Sequence, residues 1–212
     1  MSSQICAAQR SASGVECRSS DADWLMVGFM ADDIFEHPRL VAIYDALDPD
    51  RSDLDVYVAI AGALGARRVL DVGCGTGTFA LLLADGGLEV TGVDPAGGSL
   101  NVARAKPGAN RVHWIHSDAT TLPQMQVDLV TMTANVAQAV VEPQGWEGTL
   151  CGVYDVLRPG GHFVFETRDP QERSWQEWNR SEFYRIIEIQ GVGVVESWVD
   201  VVEVSGPLVR LR

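Results

Sequence analysis

The chain has 212 residues, of which 46% are hydrophobic and 21% are charged, as in ordinary globular proteins. This length is enough for one α/β domain with a full core. Sixteen Lys and Arg residues against 29 Asp and Glu residues give a net charge of −13. Such a field repels a phosphate backbone, and the chain has no run of basic residues. We therefore predict that it has no nucleic-acid partner.

The four cysteines, Cys6, Cys17, Cys74 and Cys151, are widely spaced and form neither a zinc pattern nor a dense disulfide framework. No set of His, Asp and Glu residues has the spacing of metal ligands, so no metal is expected. The start of the chain lacks the apolar segment of a signal peptide, and the apolar stretch at residues 24–31 is too short to span a bilayer. These features favour a cytoplasmic protein with no membrane partner.

Residues 1–20 are rich in Ser, Ala and Gly without any period, which predicts a disordered tail. We expect residues 21–212 to form a single domain that begins with helices over residues 33–66. The first helix covers residues 38–47, with Pro38 in its first turn. The second begins at Ser52 or Asp53 and runs to Leu64, where Gly65 ends it.

From residue 67 onwards strands and helices alternate. The predicted strands cover residues 68–72, 89–93, 111–116, 127–132 and 162–167, and the predicted helices cover residues 78–84, 98–106 and 145–157. Strands that alternate with helices in this way form right-handed crossovers and a parallel sheet. The prediction is a Rossmann-like, doubly wound, mostly parallel sheet with helices on both faces, and a cofactor-binding core over residues 67–168.

The first of these strands runs into three alternating glycines, Gly73, Gly75 and Gly77. Glycine allows a sharp turn and lets a ligand approach the backbone without a Cβ in the way, although a tight turn without a ligand is the alternative. In a dinucleotide fingerprint the third glycine would fall at Thr78. The spacing therefore departs from that of a nicotinamide or flavin site, and no Gly-Lys-Ser/Thr follows to make a P-loop.

Asp94 ends the second strand, about twenty residues beyond the glycines. A carboxylate at that place can accept both ribose hydroxyls of an adenosyl group. A helix cap is the alternative role for an acid at a strand end.

Five segments, in chain order, resemble the motifs of the class I S-adenosylmethionine-dependent methyltransferases. They are residues 69–80 (motif I), 91–95 (the second motif), 117–119 (the third), 127–130 (the fourth strand) and 157–164 (the turn into the fifth strand). Together the matches extend over roughly residues 38–170. The resemblance implies a Rossmann-like fold, S-adenosylmethionine as the cofactor and methyl transfer to a small-molecule acceptor.

The resemblance also implies roles for individual residues. Gly73, Gly75 and Gly77 would line the methionine part of the cofactor, and Asp71 would orient its ammonium group. Cys74 would contribute its backbone.

Further along the chain, Asp94 would hold the ribose with Pro95 packing nearby, and Asp118 and Ala119 would recognise the adenine. Asn135 could contact cofactor or substrate, or cap a helix. Tyr44 could lie over the methionine end, or belong to the core.

Methyl transfer from a sulfonium is a displacement at an activated carbon, so positioning and desolvation can provide much of the acceleration. A general base is needed only if the acceptor must lose a proton. The histidines lie where packing is the simplest role, so no catalytic residue is predicted. Four tryptophans could wall an apolar pocket or serve in ordinary packing: Trp146, Trp175, Trp178 and Trp198.

Residues 169–212 form the predicted substrate-side extension. A helix is expected over residues 171–179, followed by one antiparallel ribbon from the runs at 183–190 and 194–204. The helix and antiparallel strand pair with which this family usually ends its sheet are missing. Either the ribbon replaces those strands or the chain is a truncated form with an exposed sheet edge. The alternatives are therefore a homologue that binds the cofactor without turnover and, more remotely, a nicotinamide-dependent oxidoreductase.

Overall fold

The computed structural model describes residues 3–11, 32–206 and 208–212. Its main sheet has six strands: β1 (Ser3–Gln9), β2 (Arg68–Val72), β3 (Glu89–Asp94), β4 (Val112–His116), β5 (Val127–Met132) and β6 (Leu157–Arg168). Their order is β1-β6-β5-β2-β3-β4, and every neighbouring pair is parallel except β1 with β6. The chain moves outwards from β2 to β4 and then continues at β5 on the other side of β2. This reversal makes a topological switch point between β2 and β5, where ligands of such sheets bind.

Two layers of core lie on opposite faces of the sheet. The helices are α1 (Asp33–Glu36), α2 (Pro38–Leu47), α3 (Asp55–Ala63), α4 (Thr78–Asp85), α5 (Gly97–Ala105), α6 (Val136–Ala139), α7 (Pro143–Val156) and α8 (Arg180–Phe183). Val69 packs with α3 and α4, whereas its neighbour Leu70 packs with α6 and α7. Consecutive strand residues face opposite ways, so this division confirms the predicted Rossmann-like fold with helices on both faces.

The beginning of the chain corrects our expectation of a disordered tail. Residues 3–9 form β1, which pairs with residues 162–168 of β6, and Arg10 extends the pairing through hydrogen bonds with Gly160 and Gly161. The Arg10 guanidinium stacks over the Tyr154 ring at 4.2 Å. The strand forms because an unpaired β6 edge would leave a row of backbone donors and acceptors without partners. The edge that a truncated chain was expected to expose is therefore covered by β1. Residues 12–20 of the predicted tail lie outside the described residues.

The C-terminal extension also differs from the prediction. In place of one helix over residues 171–179 there are two 3₁₀ turns, Pro170–Glu172 and Ser174–Glu177, interrupted by Arg173 at φ +47°. In place of one ribbon there are two. The first pairs β7 (Arg185–Ile189) with β8 (Gly193–Ser197), and the second pairs β9 (Val201–Ser205) with β10 (Leu208–Leu211). The run predicted at 194–204 divides because its second half pairs with the chain end.

Strand boundaries shift at β6 as well. This strand begins at Leu157 rather than at residue 162, so it includes the segment that we expected to be a turn. Among the described residues, no helix combines the length and apolar character needed to cross a membrane.

Candidate functional site

A cavity of about 870 Å³ opens at the carboxyl ends of the parallel strands, within the size range of ligand pockets. The ends of β2, β3 and β5, the loop after β4 and the end of β6 all contribute to its wall. Ten of the eleven residues predicted to contact the cofactor line it: Tyr44, Asp71, Gly73, Cys74, Gly75, Asp94, Pro95, Asp118, Ala119 and Asn135. The cavity therefore lies at the switch point of the sheet and collects residues from far apart in the sequence.

The segment that we call the glycine loop (residues 73–77) turns the chain from β2 into α4. Gly73, Gly75 and Gly77 have φ values of +70°, +54° and +79°, a region that side chains rarely adopt. A Cβ on Gly73 would lie 2.5 Å from both γ carbons of Val136. A Cβ on Gly75 would meet no atom within 4 Å, because this glycine faces the cavity. The loop thus combines one tightly packed glycine with one that is open to a ligand.

Gly77, the eleventh predicted residue, is not part of the cavity wall. It precedes α4 as the N-cap residue, and a Cβ there would lie 2.4 Å from the Trp114 ring and 2.9 Å from the Cβ of Ala103. The Trp114 ring is fixed by a 2.9 Å hydrogen bond from Nε1 to the Ala109 carbonyl. In this structure Gly77 therefore serves the close packing of α4 against its neighbours.

Asp71 is the most deeply buried acid of the cavity wall, with 1% of its surface exposed. Its Oδ1 accepts a hydrogen bond of 3.1 Å from the Thr131 hydroxyl, while its buried Oδ2 has no hydrogen-bond partner in the protein. Burial raises the pKa of this carboxyl to about 7, and the nearby charge of Asp94 adds to the rise although the Thr131 bond opposes it. A buried carboxylate oxygen without a partner is costly, and a cation in the cavity would relieve that cost.

Asp94 ends β3 with both carboxylate oxygens engaged. Oδ2 accepts a hydrogen bond of 2.7 Å from the Gly75 amide, and Oδ1 accepts one of 2.8 Å from the Ala96 amide. Burial raises the pKa of Asp94, and these two bonds oppose the rise. The first turn of α5 is capped by another acid, Glu36, which accepts from Gly97 and Gly98 at 2.8 and 2.9 Å. The carboxylate of Asp94 thus ties the glycine loop to β3 and leaves the capping of α5 to Glu36.

Asp118 and Ala119 follow β4 at the far end of the cavity. The Asp118 Oδ1 accepts a hydrogen bond of 2.8 Å from the Thr120 amide, which orients the carboxylate. Ala119 is buried, and a Cβ on Gly152 would lie 1.8 Å from its carbonyl oxygen. Helix α7 therefore presses directly on this loop and holds it in place.

Ala134 and Asn135, after β5, have left-handed backbones with φ values of +54° and +66°. Two successive non-glycine residues in this region store strain of a kind that clusters at functional sites. The backbone amide of Asn135 donates a hydrogen bond of 2.8 Å to Glu166 Oε1, and the Tyr57 hydroxyl donates to Glu166 Oε2. The Asn135 side chain makes no capping bond, and its buried Oδ1 has no hydrogen-bond partner.

Glu166 is a site residue that the sequence analysis missed. It is buried in β6, and its carboxylate holds the strained backbone at Asn135. The available signal was an acid directly after the apolar run at residues 163–165 of a predicted strand, since buried acids are rare unless they are paired.

Tyr44 reaches the cavity from α2 and lies 5.6 Å from Phe35, measured between ring centroids. Burial raises the pKa of its hydroxyl. The helix is fixed by the next residue, Asp45, which accepts a hydrogen bond of 2.6 Å from the Thr76 hydroxyl and pairs with Lys106 at 2.6 Å. Tyr44 therefore lies on a helix that is clamped to the glycine loop.

The end of β6 and the segments after it close the other side of the cavity. Of the four candidate tryptophans, Trp175 and Trp178 line it. Trp146 packs edge-on against Phe165, and Trp198 is 40% exposed beside Tyr184. None of the four histidines, all of which are described, lines the cavity. Within the described ranges, no three His, Cys, Asp or Glu residues are grouped so that they could hold a metal ion.

Comparisons with known proteins agree with this geometry. The family model described as a methyltransferase domain matches residues 69–161. The demethylmenaquinone methyltransferase of Clavibacter sepedonicus is 37% identical over 109 residues, which are 50% of this chain and 42% of that protein. The chain spans about half the length of the curated relatives it matches.

Among solved structures, the CcbJ methyltransferase from Streptomyces caelestis is 25% identical with a TM-score of 0.54, over 70% of this chain and 63% of that one. The DhpI-SAM-HEP complex shares the fold at 22% identity and a TM-score of 0.50, over 76% of this chain and 78% of that one. Residues 69–161 therefore match the model of a methyltransferase domain, and over this part the chain is similar to relatives and solved structures that are named as methyltransferases.

Proposed function

We propose that this chain transfers the methyl group of S-adenosylmethionine to a small-molecule acceptor. The observation that carries the proposal is the unpartnered Oδ2 of Asp71 beside an open Gly75 in a cavity of ligand size. This cofactor carries an ammonium group, which matches the buried oxygen, and a methionine chain, which needs close approach to backbone. The chemistry of the described residues therefore fits the cofactor.

In this proposal each part of the cofactor has a residue to bind it. Asp71 receives the ammonium group, and Gly73 and Gly75, with the backbone of Cys74, line the methionine chain. Asp94 receives the ribose hydroxyls, since each of its oxygens accepts only one protein hydrogen bond and has a lone pair left.

The adenine and the methyl group lie at opposite ends of the bound cofactor. Asp118 and Ala119 bind the adenine beside Pro95. Tyr44 and Asn135 lie near the methyl group, where the Asn135 Oδ1 is free to accept a hydrogen bond from cofactor or acceptor.

The bound cofactor supplies an activated methyl carbon, and the protein supplies position and exclusion of water. No histidine lines the cavity, so the proposal assigns no general base. The net charge of −13 supports a small-molecule acceptor over a nucleic acid. A cytoplasmic location stays a prediction.

Calorimetric titration with S-adenosylmethionine and S-adenosylhomocysteine tests the cofactor assignment. We expect saturable binding to the unmodified chain and a loss of about a hundredfold or more in Asp94→Ala, because hydrogen bonds to a charged group contribute about 1.5–3 kcal/mol each. Asp155→Ala is the matched control, since Asp155 is exposed on α7 away from the cavity. Absence of binding by the folded, unmodified chain would refute the proposal.

Binding without turnover is the second candidate, and the C-terminal ribbons favour it because strands β7 to β10 pair only with one another and add no strand to the main sheet. A screen of small-molecule acceptors with methyl-labelled cofactor separates the two candidates. Labelled product from any acceptor excludes the second. Binding of NAD in competition with S-adenosylhomocysteine would instead point to the oxidoreductase.

A further inference from the structure

Arg168 ends β6 and lines the acceptor side of the cavity. Its guanidinium stacks over the Trp178 ring at 4.4 Å, and its buried Nε has no hydrogen-bond partner. Burial lowers the pKa of this group and the charge of Glu166 opposes that change, but an arginine in a protein stays charged. The structure therefore places a partly desolvated cation in the cavity wall, and the buried Nε donor of that cation is unused.

The acids near Arg168 are already engaged. Glu166 accepts from the Asn135 amide and the Tyr57 hydroxyl, and the Asp169 Oδ1 accepts a hydrogen bond of 2.8 Å from the Gln171 amide. The other arginine of the cavity wall, Arg51, is paired with Asp53.

No ion pair of Arg168 exists within residues 3–11, 32–206 and 208–212. Burying a charge without a partner is unfavourable. Arg168 therefore makes no direct ion pair with the described chain, and an anion in the cavity could pair with it.

The surroundings of Arg168 restrict the shape of that anion. Trp175, Trp178, Leu208 and Leu211 line the same cavity as Arg168, which favours a ligand with an apolar body. One face of the planar guanidinium is covered by the Trp178 ring, which leaves its edge for in-plane hydrogen bonds. An arginine edge matches the two oxygens of a carboxylate in a bidentate pair.

We propose that Arg168 binds a carboxylate of the methyl acceptor, so that the substrates are small carboxylic acids with an apolar body. The proposal rests on the proposed methyltransferase function and adds the substrate class to it. Arg168 is then a specificity-determining residue, which selects acids over their neutral amides and esters. It also gives an acidic protein a local means of attracting an anionic substrate.

Benzoate is the minimal probe of this proposal, and benzamide is its neutral isostere. Both are titrated into the ¹⁵N-labelled chain, with and without saturating S-adenosylhomocysteine, while the arginine Nε–H signals are followed by NMR. The Arg168 signal is assigned by its loss in Arg168→Met. We expect benzoate to move it saturably and benzamide to leave it in place. The Arg180 signal serves as the internal control, because that guanidinium stacks over Trp198 at 4.3 Å but does not line the cavity.

Binding measurements on variants complete the test. Benzoate should bind Arg168→Met about ten- to a hundredfold more weakly than the unmodified chain, and Arg180→Met should bind it normally. The affinity for S-adenosylhomocysteine should be unchanged in both variants. An Arg168 signal that does not move, or that moves equally with both probes, overturns the proposal; this readout comes from the unmodified chain, and the variant serves only to assign the signal. Failure of the unmodified chain to bind S-adenosylhomocysteine would refute the proposed function instead.

Discussion

Replacement of Asp71 by Asn tests whether the buried acid at the end of β2 is kept for a ligand at the cost of stability. The Asn side chain has the same shape and can still accept from Thr131 through Oδ1. It removes the charge and places an amide nitrogen where the unpartnered Oδ2 lies. We expect the variant to be more stable than the unmodified chain at alkaline pH and to bind the cofactor more weakly.

The size of the stability effect follows from the pKa of Asp71. A rise from 3.8 to about 7 in the folded state corresponds to about 4 kcal/mol of penalty on the ionised form. Between these two pKa values the folded chain binds the proton more tightly than the unfolded chain does. The contribution of Asp71 to stability therefore falls as the pH rises from 3.8 towards 7, and above pH 7 the loss stays constant. The buried amide of Asn costs about 1–3 kcal/mol, which leaves a net gain of about 1–3 kcal/mol at about pH 8.5.

Urea unfolding of the two chains measures this difference. The advantage of Asp71→Asn should shrink by about 2 kcal/mol between about pH 8.5 and about pH 5.5, because the carboxyl of the unmodified chain becomes protonated there. Calorimetry with S-adenosylhomocysteine measures the effect of the same substitution on cofactor affinity. The variant should bind about ten- to a hundredfold more weakly, since a charge-assisted hydrogen bond to the ammonium group is lost.

Two results would refute the reasoning about Asp71. If Asp71→Asn is less stable than the unmodified chain at about pH 8.5, Asp71 is not destabilising in the folded protein. If the variant binds S-adenosylhomocysteine as tightly as the unmodified chain, the unpartnered oxygen does not face the ammonium group. Thr131→Val is the matched control: it removes the hydrogen bond to Oδ1 and leaves the charge in place.

Two further predictions concern the glycine loop and the sheet edge. Gly73→Ala should destabilise the chain by about 2–5 kcal/mol in urea unfolding, through its positive φ and its contact with Val136. Gly75→Ala should cost only about 1–2 kcal/mol from backbone strain but abolish S-adenosylhomocysteine binding, and equal stability losses at the two sites would contradict the packing argument. Removal of residues 1–11 deletes β1 and should convert the chain to larger species in sedimentation velocity, because the β6 edge becomes free to pair with another chain. A truncated chain that sediments like the full chain would show that β1 does not protect this edge.

The predictions from sequence succeeded where the pattern of one element decides its structure. The helix at Pro38–Leu47 and the strands at Arg68–Val72 and Val127–Met132 have the predicted bounds, because Pro38 marks the first turn of the helix and the two strands are apolar runs that are almost wholly buried. The parallel sheet followed from the alternation of strands and helices, which restricts the possible connections. The candidate cavity residues came from motif positions, and the sheet brings ten of them together because parallel strands end at the same edge.

The predictions failed where pairing between distant segments decides the structure. Residues 3–9 have weak strand propensity alone, and they form β1 because the β6 edge needs a partner. Residues 194–204 alternate like one strand, but Asp200 pairs with Arg212 through two backbone hydrogen bonds and the run divides there. Glu166 was missed for the same reason, since its partners Tyr57 and Asn135 are 109 and 31 residues away in sequence. No pattern within one segment reports such contacts.

The cavity is held by hydrogen bonds that link each binding segment to a different element. The Asp94 carboxylate holds the amide of Gly75, Asp45 on α2 holds Thr76, and Glu166 on β6 holds the strained backbone at Asn135. All three bonds are made within the protein, so the chain itself holds the backbone of the site in place. Asp71 is the exception among these acids, because one of its oxygens is left without a partner. A cation bound at this oxygen would offset the free energy that its burial costs. We therefore expect the cofactor's ammonium group to contribute more to affinity than an equivalent ion pair on the surface would.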